Sequence, residues 1–270
     1  MAIRDITLGQ YFPGESVIHR LDPRVKIIAT LAFLVSLFFI KSFSFFAFAA
    51  VCLAICIKLS GVPFKFMAKG LKAIMLLILL TMVVNMLFTP GEVVIFSIWK
   101  ITITKEGIYR AFFMAIRLVL LIFGSSLLTL TTKPIALTDG LERLMSPLSK
   151  LGLPAHELAM MMTIALRFIP TLLDETDKIM KAQTARGADF ENGNLKEKAK
   201  ALIPLLVPLF VSAFRIASDL AMAMEARCYH GGSGRTRMNE MKMKSSDAWA
   251  FVLLVVYFAA IIVSRRFDLF

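Results

Sequence analysis

The sequence predicts an all-α integral membrane protein with about five transmembrane helices and a cytoplasmic block of one short and two long amphipathic helices. The chain has 270 residues, of which 58% are hydrophobic, and its mean hydropathy is +0.74. Soluble domains contain only about 45–50% apolar residues. Five apolar runs alternate with polar segments, and the longest polar-rich block covers residues 131–245. Composition and run length together therefore place the chain in a membrane.

The first two apolar runs are short. They cover residues 25–40 and 43–57, and Lys41 and Ser42 separate them. A helix needs about 20 apolar residues to cross a hydrocarbon core of about 30 Å. We therefore predict two short or tilted helices joined by a tight turn, with one long bent helix as the alternative.

The next two spans are predicted over residues 73–88 and 107–130. The segment between them, 89–106, reads as β-like, and we place it outside the cell with Trp99 at the membrane interface. Arg117 lies deep in the fourth span, where a charge facing lipid costs at least about 2.5 kcal/mol. Its side chain should therefore face protein or water, in either a structural or a functional role.

The last span is predicted over residues 248–263. The chain then divides into an N-terminal membrane region (1–133), a cytoplasmic domain (134–245) and a C-terminal transmembrane helix (246–270). The formal charge of +12 supports this orientation, because basic residues of membrane proteins collect on the cytoplasmic side. A basic first segment and a basic connector at 58–72 place the N-terminus and the polar-rich block inside.

Several function classes are disfavoured by the composition. The basic residues flank apolar runs and do not line one polar domain, which argues against nucleic-acid binding. The spans lack paired carboxylates, and the sequence has neither metal-ligand spacing nor a phosphate-binding glycine loop. We therefore expect no catalytic residues, no metal and no cofactor in this chain. A secondary transporter or channel that acts without ATPases stays open as the alternative, although such proteins usually show paired halves or buried ionisable relays.

The cytoplasmic block begins with a short helix predicted over residues 135–148. Two long helices follow, over about 155–185 and 202–227, and the first carries a polar stripe that includes Arg167. Amphipathic helices of this kind fit a position along the membrane surface or over a neighbouring helix. Both long helices contain prolines, at Pro170, Pro204 and Pro208.

Each long helix ends in a similar basic tip. Ala185-Arg186-Gly187 ends the first and Ala226-Arg227-Cys228 ends the second, and the residues before the two arginines match in character. Arginine stays charged and presents a planar fork of donors that can pair with a carboxylate. A single arginine at a helix C-terminus is most simply a cap that suits the helix dipole. Two matched copies favour a docking role, in which two similar helix ends bind two similar sites on partner proteins.

Several short motifs occur in a specific order and spacing between residues 9 and 228. They are Gly9-Gln10-Tyr11, Ser16 to Arg24, Leu166 to Pro170, Ala182 to Gly187 and Ala223 to Cys228. In these motifs the chain resembles the transmembrane (T) component of energy-coupling factor (ECF) transporters, an EcfT-like branch of the CbiQ family that serves as a shared module. The resemblance implies a scaffold without chemistry of its own in a bacterial plasma membrane.

The resemblance also implies the partners. Arg186 and Arg227 would insert into grooves of two ATP-binding-cassette (ABC) ATPase subunits, EcfA-like and EcfA′-like, which bind the ATP. Apolar helix faces would hold an interchangeable substrate-binding (S) component. Motion of the tips, driven by ATP, would tilt this component and release a vitamin or another micronutrient inside the cell.

Two further groups of residues are candidates. The candidates for S-component contact or helix packing are Met162, Ile169, Pro170, Pro204 and Pro208. The candidates for a structural role are Asp22, Arg24, Arg117 and Arg167.

One departure from the family pattern concerns Cys228, where the family commonly has glycine. The first long helix should end in left-handed geometry at Gly187. A non-glycine residue resists positive φ. We therefore expect the second long helix to end differently from the first.

Overall fold

The computed structural model describes residues 11–40, 42–91, 93–98, 101–147, 152, 154–188, 190, 194–231 and 243–267. Within these residues the chain folds into nine helices and one two-stranded hairpin. The helices are α1 (Val17–Arg20), α2 (Pro23–Phe39), α3 (Phe43–Ser60), α4 (Phe64–Phe88), α5 (Lys105–Thr131), α6 (Pro134–Met145), α7 (Ala155–Ala185), α8 (Leu195–Ala226) and α9 (Ser245–Phe267), and the strands are β1 (Val94–Ile98) and β2 (Ile101–Thr104). The predicted helical membrane fold is confirmed.

In the described part of the chain, six helices are long and apolar enough to cross a membrane: α3, α4, α5, α7, α9 and the part of α8 that starts at Lys200. This set differs from the five predicted spans in two respects. α2 has only 17 residues, so its length of about 25 Å falls short of a hydrocarbon core. α7 and α8 join the set because length and composition take no account of which face the apolar residues occupy. The cytoplasmic position of these two helices stays a prediction.

α2 and α3 are separate helices, so the alternative of one bent helix over 25–57 is wrong.

The starts of two helices differ from the prediction where lysines adjoin an apolar run. α4 begins at Phe64, before the predicted residue 73, and α8 begins at Leu195, before the predicted residue 202. Both additions are lysine-rich, and the first belongs to the predicted basic connector at 58–72. Lysine is a good helix former, and the helices extend through them.

The chain forms two compact units. The core unit comprises the described residues of Gly9–Leu141 and Met241–Phe270, and the tip unit comprises those of Glu142–Glu240. The unit boundary falls within α6. The interior of the core unit is formed by buried side chains of α2, α3, α5 and α9, among them Leu37, Phe46, Leu120 and Tyr257.

α2 and α5 run antiparallel, and each helix supplies a cation that caps the C-terminal end of the other. Lys26 of α2 donates from Nζ to the carbonyl of Thr131, the last residue of α5, at 2.9 Å. Arg117 of α5 donates from Nη2 to the carbonyl of Ile40, the C-cap of α2, at 3.3 Å. The last carbonyls of a helix have no partner within the helix, so these contacts satisfy groups that need a donor.

The two capping contacts fix one register between the helices. Lys26 to Ile40 along α2 and Arg117 to Thr131 along α5 cover the same number of residues, about 21 Å at a rise of 1.5 Å per residue. A shift by one turn would break both contacts. The two contacts therefore both oppose sliding of α2 along α5.

Aromatic rings surround the side chain of Arg117. Its guanidinium carbon lies 5.5 Å from the ring centroid of Phe38, 5.8 Å from that of Phe46 and 5.3 Å from that of Phe113. Ring faces attract a cation, most strongly where water is excluded. The side chain of Arg117 therefore faces protein, which is one of the two environments predicted for it.

A second polar cluster joins the start of α2 to the start of α9. Asp22 is the N-cap of α2, and its Oδ1 accepts from the backbone N–H of Arg24 at 2.9 Å. The backbone N–H of Asp22 donates to Oδ1 of Asp247 at 2.9 Å, and that of Lys244 donates to Oδ2 at 2.8 Å. Asp247 is only 2% exposed. The carboxylate of Asp247 thus accepts a backbone hydrogen bond at the N-terminus of each of two helices, where negative charge is favourable.

The segment that reads as β-like forms the antiparallel hairpin of β1 and β2. Trp99, the predicted interface residue, lies outside the described residues. Thr104 ends the hairpin and begins α5, because its hydroxyl accepts from the N–H of Gly107 at 3.1 Å and donates to the carbonyl of Thr89 at 3.1 Å. The hairpin is thereby attached to the end of α4 and the start of α5.

Replacement of either capping cation, by Lys26→Met or Arg117→Met, should lower the free energy of unfolding by about 1–3 kcal/mol, because a carbonyl loses its donor. The two sites lie about 21 Å apart, so the losses should add in the double variant. Thermal unfolding of the purified protein in detergent measures them. Arg110→Met is the matched control, since Arg110 is exposed on the same helix. An equal loss in the control would contradict the capping role.

Candidate docking surface

The tip unit is built on two long helices that run antiparallel. The hydroxyl of Tyr229, just beyond α8, donates to Sδ of Met160 near the start of α7 at 3.1 Å. Ser212 of α8 donates to Oε1 of Glu175 on α7 at 3.4 Å. Residue numbers that rise along α7 therefore meet numbers that fall along α8.

This arrangement places the two C-terminal ends, and with them Arg186 and Arg227, at opposite ends of the helix pair. Tyr229 marks the Arg227 end and lies beside Met160. From Met160 to Arg186 the length of α7 amounts to about 40 Å at 1.5 Å per residue. The two tips are therefore too far apart to enter a single groove.

The first tip closes with a Schellman motif. Arg186 is the C-cap of α7. The N–H of Gly187 donates to the carbonyl of Thr184 at 2.9 Å, and the N–H of Ala188 donates to that of Gln183 at 3.0 Å. These are the two hydrogen bonds that define the motif. Gly187 has a φ of +91°, which confirms the left-handed conformation predicted for it.

The second tip has the same backbone geometry, contrary to the prediction. Arg227 occupies the C-cap position, the N–H of Cys228 donates to the carbonyl of Glu225 at 2.9 Å, and the N–H of Tyr229 donates to that of Met224 at 3.1 Å. Among the described residues, Cys228 is the one non-glycine residue with positive φ, at +54°. The expectation that Cys228 ends the helix differently is wrong. The two cap hydrogen bonds offset a conformational cost of about 1–2 kcal/mol.

Both tips are exposed, and both arginines keep their donors for a partner. Within the described part of the chain, the side chains of Arg186 and Arg227 make no hydrogen bond or ion pair. Each guanidinium lies at a helix C-terminus, where positive charge is favourable, so the charge is tolerated without a partner. The exposed tip residues are Ala185, Arg186, Gly187, Ala226, Arg227 and Cys228.

An apolar stripe on α8 was missed by the sequence analysis. Its members are each 57–74% exposed. They recur at i, i+4, i+7, i+8 and i+11, so they share one helix face, and this spacing can be read directly from the sequence. A contiguous apolar surface of this kind indicates contact with another protein or with lipid. The α8 stripe consists of Ile203, Val207, Phe210, Val211 and Phe214.

The candidates for S-component contact all lie on α7 and α8. Met162 is 45% exposed, Pro170 and Pro204 are also exposed, and Ile169 and Pro208 are half-buried. Both helices continue through their prolines. On α8, Pro204 adjoins Ile203 and Pro208 adjoins Val207, so these two candidates lie beside members of the α8 stripe.

The structural candidates are in different environments. Asp22, Arg24 and Arg117 take part in the polar contacts of the core unit described above. Arg167 lies exposed on α7, and within the described residues its side chain makes no hydrogen bond or ion pair. The structure therefore gives internal partners to the first three and leaves Arg167 on the surface of the tip unit.

Comparison with known proteins gives a consistent result over almost the entire chain. The family model CbiQ, cobalt transport protein, matches residues 14–238. The energy-coupling factor transporter transmembrane protein EcfT of Thermosediminibacter oceani is 57% identical over 263 residues, which cover 97% of this chain and 99% of that protein. The protein of the same name from Clostridium kluyveri is 58% identical over 264 residues (97% and 98%). That of Bacillus subtilis is 47% identical over 258 residues (96% and 97%).

The left-handed cap at Cys228 should be more stable with glycine. Cys228→Gly removes the steric cost of positive φ and should stabilise the tip by about 0.5–1 kcal/mol, after the larger backbone entropy of glycine is subtracted. Gly187→Ala should destabilise the first tip by about 1 kcal/mol. Hydrogen exchange of the cap amides, at residues 188 and 229, measures both effects. Faster exchange at residue 229 in the Cys228→Gly variant would contradict this account.

Proposed function

Because the chain belongs to the CbiQ family and is the EcfT-like membrane component of an energy-coupling factor transporter, we propose that it couples two ABC-type ATPases to a substrate-binding S component. The observation that carries the proposal is the pair of matched tips. Each tip has the same Schellman cap and an exposed arginine that has no partner among the described residues. Two equivalent helix tips suit two homologous binding grooves, one on each ATPase.

The separation of the tips supports two sockets. A length of about 40 Å along the helix pair is too great for one groove. Two ATPase subunits side by side would have to present two grooves at about this separation. Each arginine would enter a groove lined with carboxylates and form a bidentate pair that the groove shields from water.

The α8 stripe supports the second half of the proposal. An S component is an apolar membrane protein, and the stripe offers a continuous apolar face on the same helix that carries Arg227. A push on the Arg227 tip would therefore move the surface that holds the S component. Methionine at position 162 can adapt its shape to several partners, which suits interchangeable S components.

The coupling step follows from this arrangement. When ATP brings the two ATPases together, their grooves would carry the two tips toward each other and change the angle between α7 and α8. The bound S component would tilt with the helix faces and release its vitamin or other micronutrient. The chain itself would bind neither ATP nor the nutrient, and selection of the nutrient would belong to the S component.

Charge reversal at the tips tests the docking. Arg186→Glu or Arg227→Glu should weaken ATPase retention by a factor of ten or more, because loss of a buried charge pair costs about 2–5 kcal/mol. The double variant should lose the ATPases completely. The measurement is co-purification of tagged ATPases with the membrane component in mild detergent.

Arg215→Glu is the matched control for the charge reversals. Arg215 is exposed at the middle of α8, away from both tips, so the same charge change there should leave ATPase retention unchanged. Normal recovery of the ATPases with the double tip variant would refute the docking function. Transport by the chain without ATPases would favour a secondary transporter or channel.

Substitution within the α8 stripe tests the S-component surface. Val207→Gln combined with Phe214→Gln should reduce recovery of S components, because two exposed apolar contacts become polar, while ATPase recovery should stay normal. Ser218→Gln on the same helix is the control, since Ser218 is exposed but polar. Quantitative mass spectrometry of the purified complex separates the two losses. Equal loss of ATPases and S components would indicate misfolding of the unit and not a lost surface.

A further inference from the structure

Tyr229 joins the second tip to the start of the neighbouring helix. Its backbone N–H closes the α8 cap on the carbonyl of Met224 at 3.1 Å. Its hydroxyl donates to Sδ of Met160 on α7 at 3.1 Å. One residue thus completes the cap that presents Arg227 and attaches that cap to α7.

The start of α7 is itself held in place. His156 lies one turn before Met160, on the same helix face, and its Nδ1 forms a hydrogen bond of 3.0 Å with Oε1 of Glu142 on α6. A carboxylate oxygen accepts, so Nδ1 carries the proton. The Arg227 tip, the first two turns of α7 and the end of α6 are therefore connected by successive side-chain contacts.

Among the residues that the structure describes, the first tip shows no corresponding attachment. Ala188 stands where Tyr229 stands in the second tip and donates its N–H to Gln183 in the same way. Its side chain is a methyl group, which cannot form a hydrogen bond. Within the described residues, positions 185–188 make no side-chain hydrogen bond to another helix. Two tips with the same backbone therefore differ in how they are held.

We propose that Tyr229 is a positioning residue for Arg227, which makes the Arg227 tip a fixed docking point and leaves the Arg186 tip able to adjust. The proposal rests on the docking function given above. Tyr229 does not touch the ATPase in this account. It limits the positions that the arginine samples before docking, so that less freedom is lost on binding.

The mobility of the unbound tip gives the first test. A nitroxide on Cys228, in a Cys52→Ala and Cys56→Ala background, reports motion at the second tip by electron paramagnetic resonance. Tyr229→Phe should increase this motion, because the hydroxyl contact to Met160 is removed while the ring stays. In a background that also carries Cys228→Ala, a nitroxide introduced by Ala185→Cys should show no change. An unaltered spectrum at Cys228 would overturn the proposal.

A double-mutant cycle on the ATPase affinity gives the second test. Tyr229→Phe should weaken binding of the purified ATPase pair about two- to fivefold, because the thioether sulfur of Met160 is a weak hydrogen-bond acceptor. The same loss should appear in an Arg186→Ala background and vanish in an Arg227→Ala background, because Tyr229 acts through Arg227. Met160→Leu should reproduce the effect of Tyr229→Phe. Met161→Leu, the same change at an exposed neighbour, should have no effect.

The outcomes separate this proposal from the docking function. If neither arginine affects ATPase affinity, the docking function fails and the positioning role fails with it. If both arginines matter but Tyr229→Phe weakens binding equally in both arginine backgrounds, docking stands and positioning is overturned. Loss confined to the background that retains Arg227 supports both.

Discussion

Reciprocal capping between α2 and α5 is the constraint on which the core unit depends. Lys26 and Arg117 each satisfy the terminal carbonyl of the opposite helix, and the equal spacing of the two contacts fixes the register of the pair. A helix end that lacks water must find its donors in the protein. The short helix α2 ends before it could cross a hydrocarbon core, so its final carbonyl cannot rely on water. The cation of Arg117 in the middle of α5 supplies the donor that this short helix requires.

The chain uses arginine in two opposite ways. Arg117 lies near three aromatic rings and donates to a carbonyl, so its guanidinium interacts with groups inside the core unit. Arg186 and Arg227 lie at exposed helix ends, where the helix dipole tolerates a charge but does not satisfy the five donors of a guanidinium. Within the described residues, neither of these two guanidiniums has a hydrogen-bond or ion-pair partner. Their open state is what the proposed partners would use.

The sequence predicts most of the helices because apolar runs and proline or glycine breaks are local signals. The bounds of α7 and the left-handed Gly187 follow from such signals. The lysine-rich starts of α4 and α8 were missed, since a charged segment is equally compatible with a loop and with a helix end that extends beyond the apolar run. The caps by Lys26 and Arg117 and the contact between Asp22 and Asp247 could not be predicted, because each joins residues distant in sequence. The spacing of the α8 stripe is visible in the sequence. In an almost wholly apolar segment, however, the sequence does not indicate which face of the helix stays exposed.

Cys228 shows why a residue preference is weaker evidence than the contacts around it. A non-glycine residue in left-handed geometry persists only where its surroundings determine the backbone. At the first tip glycine adopts this geometry without a steric cost, and the side chain of the following residue is only a methyl group. At the second tip the cost is met by two cap hydrogen bonds and by Tyr229, which reaches α7 from the position that closes the cap. The two helix ends therefore arrive at the same backbone by different means. The tip that departs from glycine is the one with a contact able to hold it, and this difference would distinguish the two tips before any ATPase binds.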